Sequence, residues 1–211
     1  MPIFPTRSWP SSDKSGRITN FGPLPLSRMA PYPVSSGSMI RILGIDPGSR
    51  VTGFGIIEVQ ANRLQCLATG CVKIQGDDLA GKLKVIFEGV SQLVAEYQPQ
   101  EVAIENIFMY RNAESALKLG QARGAAISAV SIQSIPVHEY TPSEIKKAVV
   151  GKGNASKEQV QHMVRALLSL TRTPQSDAAD ALAVALCHGH LRNQPMQLER
   201  RRRLGRWKHL P

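Results

Sequence analysis

Paired cysteines, zinc-ligand spacings and membrane-length apolar runs are all missing from this 211-residue sequence. Its three cysteines, Cys66, Cys71 and Cys187, are odd in number and form no CxxC, which excludes a disulfide framework and a zinc knuckle and leaves them as small packing residues. No apolar stretch reaches the roughly eighteen residues of a membrane span. No basic start followed by an apolar core opens the chain either, so neither insertion nor secretion is expected and the predicted location is cytoplasmic. Internal repeats are absent, which excludes a solenoid. What remains is a chain with 42% hydrophobic residues, enough for one domain with a substantial core.

Acidic residues are outnumbered, 16 Asp plus Glu against 26 Lys plus Arg, for a formal net charge of +10. The surplus is uneven: +3 in residues 1–38, +1 in residues 39–190 and +6 in residues 191–211. Most of the excess therefore belongs to the tails, where it would act as salt-sensitive attraction to nucleic acid.

Residues 1–38 hold seven of the fourteen prolines and no periodic apolar pattern. They cannot bury enough surface to offset the entropy of ordering, and a disordered extension is expected, with Met39 reading as an alternative start. Residues 191–211, with Arg200 to Arg203 in succession, read as a basic, solvated tail. Between them the patterning predicts one domain over residues 39–190. Alternating apolar runs place strands over 40–46, 52–59 and 64–74, joined by short turns. The period then changes: Leu83, Ile86, Phe87, Val90, Leu93 and Val94 recur at helical spacing until Pro99. A short strand over 101–105 follows, then a helix over 113–130 capped by Asn112, a strand over 136–140, and helices near 143–150, 156–170 and 177–188. That order predicts an α/β fold of the ribonuclease H-like kind, a five-stranded mixed sheet flanked by helices on both faces.

Four carboxylates sit where these elements begin or end: Asp46, Glu105, Asp177 and Asp180. Side chains at the carboxyl ends of adjacent strands converge on a crevice, and Asp177 and Asp180 share one helix face. Each has a bland reading. Asp46 could close an Asp-Pro-Gly turn, and the two helix aspartates could complement the helix N-terminus. Glu105 is harder to explain, because it ends an apolar strand with no basic residue beside it in sequence. Together the four would repel unless a cation neutralised them; oxygen donors of this hardness suit Mg²⁺ or Mn²⁺, and a pair of such ions is a common device for phosphodiester cleavage.

The stretches 44–53, 115–124, 159–164 and 178–183 closely resemble the RuvC Holliday-junction resolvases of bacteria, and the likeness runs from Met39 to about His190. The resemblance implies a homodimeric, structure-specific endonuclease of DNA recombination and repair. It would bind four-way DNA junctions and nick two strands of like polarity, leaving 5′-phosphate and 3′-hydroxyl ends. It also implies that Asp46, Glu105, Asp177 and Asp180 hold two Mg²⁺ ions, which Mn²⁺ can replace, and that the RuvA–RuvB branch-migration complex is a partner. Phe108 matches an aromatic residue that stacks on bases at the junction centre. Lys146 and Lys157 match the phosphate-binding surface most directly, and Lys147 and Lys152 crowd the same stretch. The Ala- and Gly-rich helix after Asn112 corresponds to the family's dimer contact.

Two rival readings stand beside this one. Gly44-Ile45-Asp46 followed by Gly48-Ser49 also occurs in actin-like and sugar-kinase-like ATP phosphotransferases, but those need a second copy of the fold, which about 150 ordered residues cannot supply. The other is a non-catalytic junction-binding protein, against which retention of all four carboxylates speaks. The run 151–157 has the wrong glycine and lysine spacing for a Walker A loop. His188 and His190 are placed past the helix carrying Asp180, in surface or packing roles.

Overall fold

Ile42 and Leu43 are neighbours in sequence and face opposite layers of the fold, because a strand alternates its side chains across the sheet. In the computed structural model, which describes residues 39–61, 63–106 and 113–192 together with the backbone of Thr19 and Asn20, that sheet has the order β1-β4-β3-β2-β5-β6. Its members are β1 (Thr19–Asn20), β2 (Ile40–Asp46), β3 (Val51–Gln60), β4 (Arg63–Lys73), β5 (Glu101–Glu105) and β6 (Val137–Tyr140). The helices are α1 (Leu79–Tyr97), α2 (Ala113–Ser131), α3 (Pro142–Val150), α4 (Lys157–Leu167) and α5 (Ser176–Leu191).

Strands β2, β3 and β4 form an antiparallel meander, while β5 and β6 run parallel to β2, so the mixed five-stranded sheet stands as expected. One strand was not anticipated. Thr19 and Asn20 pair with Cys71 and Gly70 and extend the edge at β4, inside a stretch read as patternless. A free sheet edge accepts almost any extended backbone, so such pairing leaves little trace in side-chain pattern. The rest of residues 1–38, and the tail from 193, lie outside the described residues.

One layer contains α1 and α2, whose Ile86, Val90, Leu93 and Ala126 pack with Leu43, Ile45, Ile56, Val102 and Ile104. The other contains α3, α4 and α5, packed over Ile42, Ile57 and Ala103. Helix ends follow local chemistry. Thr141 and Glu144 form a capping box on α3, and Ser156 and Gln159 form another on α4. Gly151 closes α3 at φ 83°, so the run 151–157, whose spacing already excludes a Walker A loop, is punctuation between two helices.

Helix α5 is almost wholly buried and lies against β2 and β3. Its own face is alanine, and the strands beneath it carry Gly44 and Gly53. A β-carbon on Gly44 would collide with the carbonyl oxygen of Ala181, and one on Gly53 with that of Asp177. Bare backbone at these positions brings the first turns of α5 onto the carboxyl end of β2.

Candidate active site

Ile45 pairs with Ile104 in the parallel β2–β5 ladder, so the next residues, Asp46 and Glu105, end neighbouring strands side by side. Across the other edge of β2, Asp46 pairs with Gly53, the glycine over which α5 begins. Topology therefore delivers all four predicted carboxylates to one end of the sheet. Ligand oxygens of Asp46, Asp177 and Asp180 lie within 4.8 Å of one another, and the Glu105 and Asp46 side chains are hydrogen-bonded.

Such crowding leaves an electrostatic mark. Burial, with the repulsion of Glu105, Asp180 and Asp177 added, pushes the Asp46 carboxyl up to about 7. Glu105 is raised too, by burial first and by Asp180 second.

Lysines oppose this charge. Lys157 Nζ lies 2.7 Å from Asp180 Oδ2, and hydrogen bonding to Asp180 raises its pKa. Lys146 and Lys157 line, with Glu105 and Asp180, an open cleft of about 220 Å³. Glu105, which has no basic neighbour in sequence, thus faces two lysines in space. Lys147 and Lys152 are exposed around the C-terminal end of α3 and do not line the cleft. Phe108 and Asn112 lie outside the described residues.

Sequence reasoning missed two polar contacts between the sheet and its helices. Arg123 on α2 reaches across to donate from Nε to the Glu105 carbonyl oxygen at 3.3 Å. Its Nη2 lies 2.7 Å from Glu139 Oε2, close enough for an ion pair though without aligned hydrogen-bond geometry. The second contains His188. Placing it past the helix carrying Asp180 was wrong, since α5 continues to Leu191, and His188 is fully buried within it. The packing role assigned to the three cysteines holds. All are buried, and burial pushes the Cys66 and Cys187 thiols up to about 12.

A set of three close aspartate oxygens, with a fourth carboxylate bonded to one of them, suits a hard divalent cation.

Comparison with known proteins agrees with this chemistry. The family described as "Crossover junction endodeoxyribonuclease RuvC" matches residues 42–188. A protein of that name from Pseudoalteromonas atlantica is 60% identical over 152 residues, covering 72% of this chain and 88% of its own. Its counterpart from Shewanella oneidensis is 57% identical over 152 residues, with the same coverage. Among solved structures, Thermus thermophilus RuvC in complex with a Holliday junction substrate superposes with a TM-score of 0.68 at 36% identity, covering 72% of this chain and 94% of that one. By sequence and by fold, this chain belongs to the RuvC family of crossover junction endodeoxyribonucleases.

Proposed function

We propose that this chain resolves four-way DNA junctions by metal-dependent nicking of two strands of like polarity, with residues 39–190 as the nuclease unit. The observation that carries the reading is the group of Asp46, Asp177 and Asp180 oxygens within 4.8 Å, with Glu105 hydrogen-bonded to Asp46, in a chain of this family. These four side chains are the residues that would hold Mg²⁺ or Mn²⁺. When bound, two such ions supply an activated water and stabilise the departing 3′ oxygen.

The protein's own residues do the rest. Asp46 and Glu105, on adjacent strand ends, offer a rigid base on which Asp177 and Asp180 close from α5. Lys146 and Lys157 flank the carboxylates and draw in a DNA phosphate that the acidic cluster alone would repel. Lys147 and Lys152 widen the positive surface beside them. Paired cuts require two equivalent sites, and one cluster per chain supplies them in a twofold homodimer. The exposed face of α2, with Leu117 63% exposed, is the surface suited to that contact. Junction delivery by a RuvA–RuvB complex completes the reading, and Phe108 serves as the stacking residue at the junction centre.

The test is incubation of the purified protein with a synthetic mobile junction and Mg²⁺ or Mn²⁺. Symmetric nicks that a DNA ligase reseals, indicating 5′-phosphate and 3′-hydroxyl ends, are expected. A junction that is bound yet uncut with both metals would leave a binding protein instead.

A further inference from the structure

We propose that Glu101, His188 and Tyr140 form a buried positioning network that sets the axial register of α5 on the sheet, and so holds Asp177 and Asp180 within reach of Asp46 and Glu105. This rests on the nuclease reading above and adds residues that do not line the cleft of Glu105 and Asp180. His188 Nε2 lies 2.5 Å from Glu101 Oε2, and its Nδ1 lies 2.6 Å from the Tyr140 hydroxyl. Arg192, just past α5, grips the same carboxylate from Nε at 3.2 Å and from Nη2 at 3.0 Å. His138 stacks on the His188 ring with centroids 4.3 Å apart.

Glu101 and Glu105 are the two ends of β5 and lie on the α5 side of it, as does Ala103 between them. Four strand residues span about 13 Å. From Asp180 to His188 along α5 is eight residues, about 12 Å. Strand and helix therefore match end to end: His188 meets Glu101 at one end, and Asp180 shares a cleft with Glu105 at the other. Between these ends the α5 backbone rests directly on Gly44 and Gly53, and Leu182 packs onto Gly55, so apolar packing holds the helix against the strands. The part-buried hydrogen bond from His188 to Glu101 adds a directional constraint at the far end, because displacing it leaves the fully buried imidazole without its partner. With Glu101 ionised, His188 donates from Nε2, and in the neutral ring Nδ1 accepts from the Tyr140 hydroxyl.

A metal centre is the competing use of these groups, since Glu101, His138 and His188 offer ligand atoms within 4.8 Å of one another. Two features oppose it. The imidazoles are stacked at 20°, so their in-plane lone pairs run side by side instead of converging, and the Arg192 guanidinium already holds Glu101.

The experiment compares full-length wild type with His188→Asn and His188→Gln, each checked for native circular dichroism. Asparagine reaches only the Tyr140 side, whereas glutamine extends towards Glu101. Mn²⁺ affinity is titrated by electron paramagnetic resonance without DNA, and single-turnover cleavage of a synthetic junction is measured at saturating protein. His188→Asn is expected to weaken Mn²⁺ binding about tenfold or more and to slow cleavage about a hundredfold. Junction binding in EDTA should stay unchanged, and His188→Gln should recover most of both losses. Mn²⁺ affinity unchanged in His188→Asn, with only the melting temperature lowered, would overturn the proposal and leave a purely structural cluster. If that variant fails to fold, Glu101→Gln, which keeps side-chain volume, takes its place with the same expected and overturning results. Wild type that binds no Mn²⁺ would instead remove the nuclease reading itself.

Discussion

Lys157 Nζ sits 2.7 Å from Asp180 Oδ2, so an ammonium group touches the acidic cluster that a divalent cation would share. The lysine is half-exposed, which leaves it free to exchange a carboxylate for a DNA phosphate once metal neutralises the acids. Replacing Lys146 and Lys157 by Ala should weaken junction binding and lower the slope of log Kd against log salt by about 1 per lysine. Fluorescence anisotropy across a salt series measures it. An unchanged slope removes both from the DNA surface.

Asp46 is central to the cluster, near both helix aspartates and bonded to Glu105. Asp46→Asn removes a charge proposed to hold metal and leaves Lys146 and Lys157, the proposed phosphate contacts, intact. Cleavage should fall by at least about a hundredfold, while junction affinity in EDTA persists. If binding disappears together with cleavage, the residue belongs to the DNA surface.

Burial, then repulsion from Glu105, Asp180 and Asp177, pushes the Asp46 carboxyl from its ordinary 3.8 up to about 7. The folded state therefore holds this proton more tightly than the unfolded chain does. Its stabilising effect is fully present below about pH 3.8 and is lost as pH rises through about 7; the raised Glu105 acts in the same direction. In EDTA the melting temperature should fall between pH 5 and pH 8, when contributions outside the cluster are removed by comparison with Asp46→Asn. Mn²⁺ should restore stability most at the alkaline end and release protons on binding. A wild-type profile parallel to that of Asp46→Asn contradicts this account.

Gly53 lies directly beneath Asp177, and an added β-carbon meets that residue's carbonyl oxygen. Gly53→Ala should cost about 1–3 kcal/mol through overpacking. It should also depress cleavage more than stability predicts, because relief comes from lifting the end of α5 that carries the aspartates. Melting and single-turnover cleavage, measured together, separate the two effects. Full activity in a stably folded variant would show that the helix start tolerates displacement.

Much of this architecture was readable in one dimension. Alternation in residues 40–46 and the helical recurrence from Leu83 to Val94 reflect where water is excluded, and that information is local. Element ends moved by a residue or a few, as at α4, which stops at Leu167 rather than near residue 170, because the last turn depends on what packs there. The four carboxylates were legible for a related reason: acids at the ends of apolar elements are conspicuous against their surroundings. Arg123 and His188 carried no such signal. Arg123 finds Glu105 only because the fold brings α2 beside the end of β5, and Glu101 meets His188 across 87 residues of chain.

The sequence by itself determined the secondary elements, the candidate acids and the family likeness, since each is written in residue type and spacing. Only the tertiary structure decided which cation faces which carboxylate, that α5 rests on bare glycine backbone, and that a part-buried glutamate with a buried histidine and tyrosine joins its far end to the sheet. Those are relations between distant segments, fixed by close packing and by the cost of leaving buried polar groups unpaired, and no local pattern encodes them.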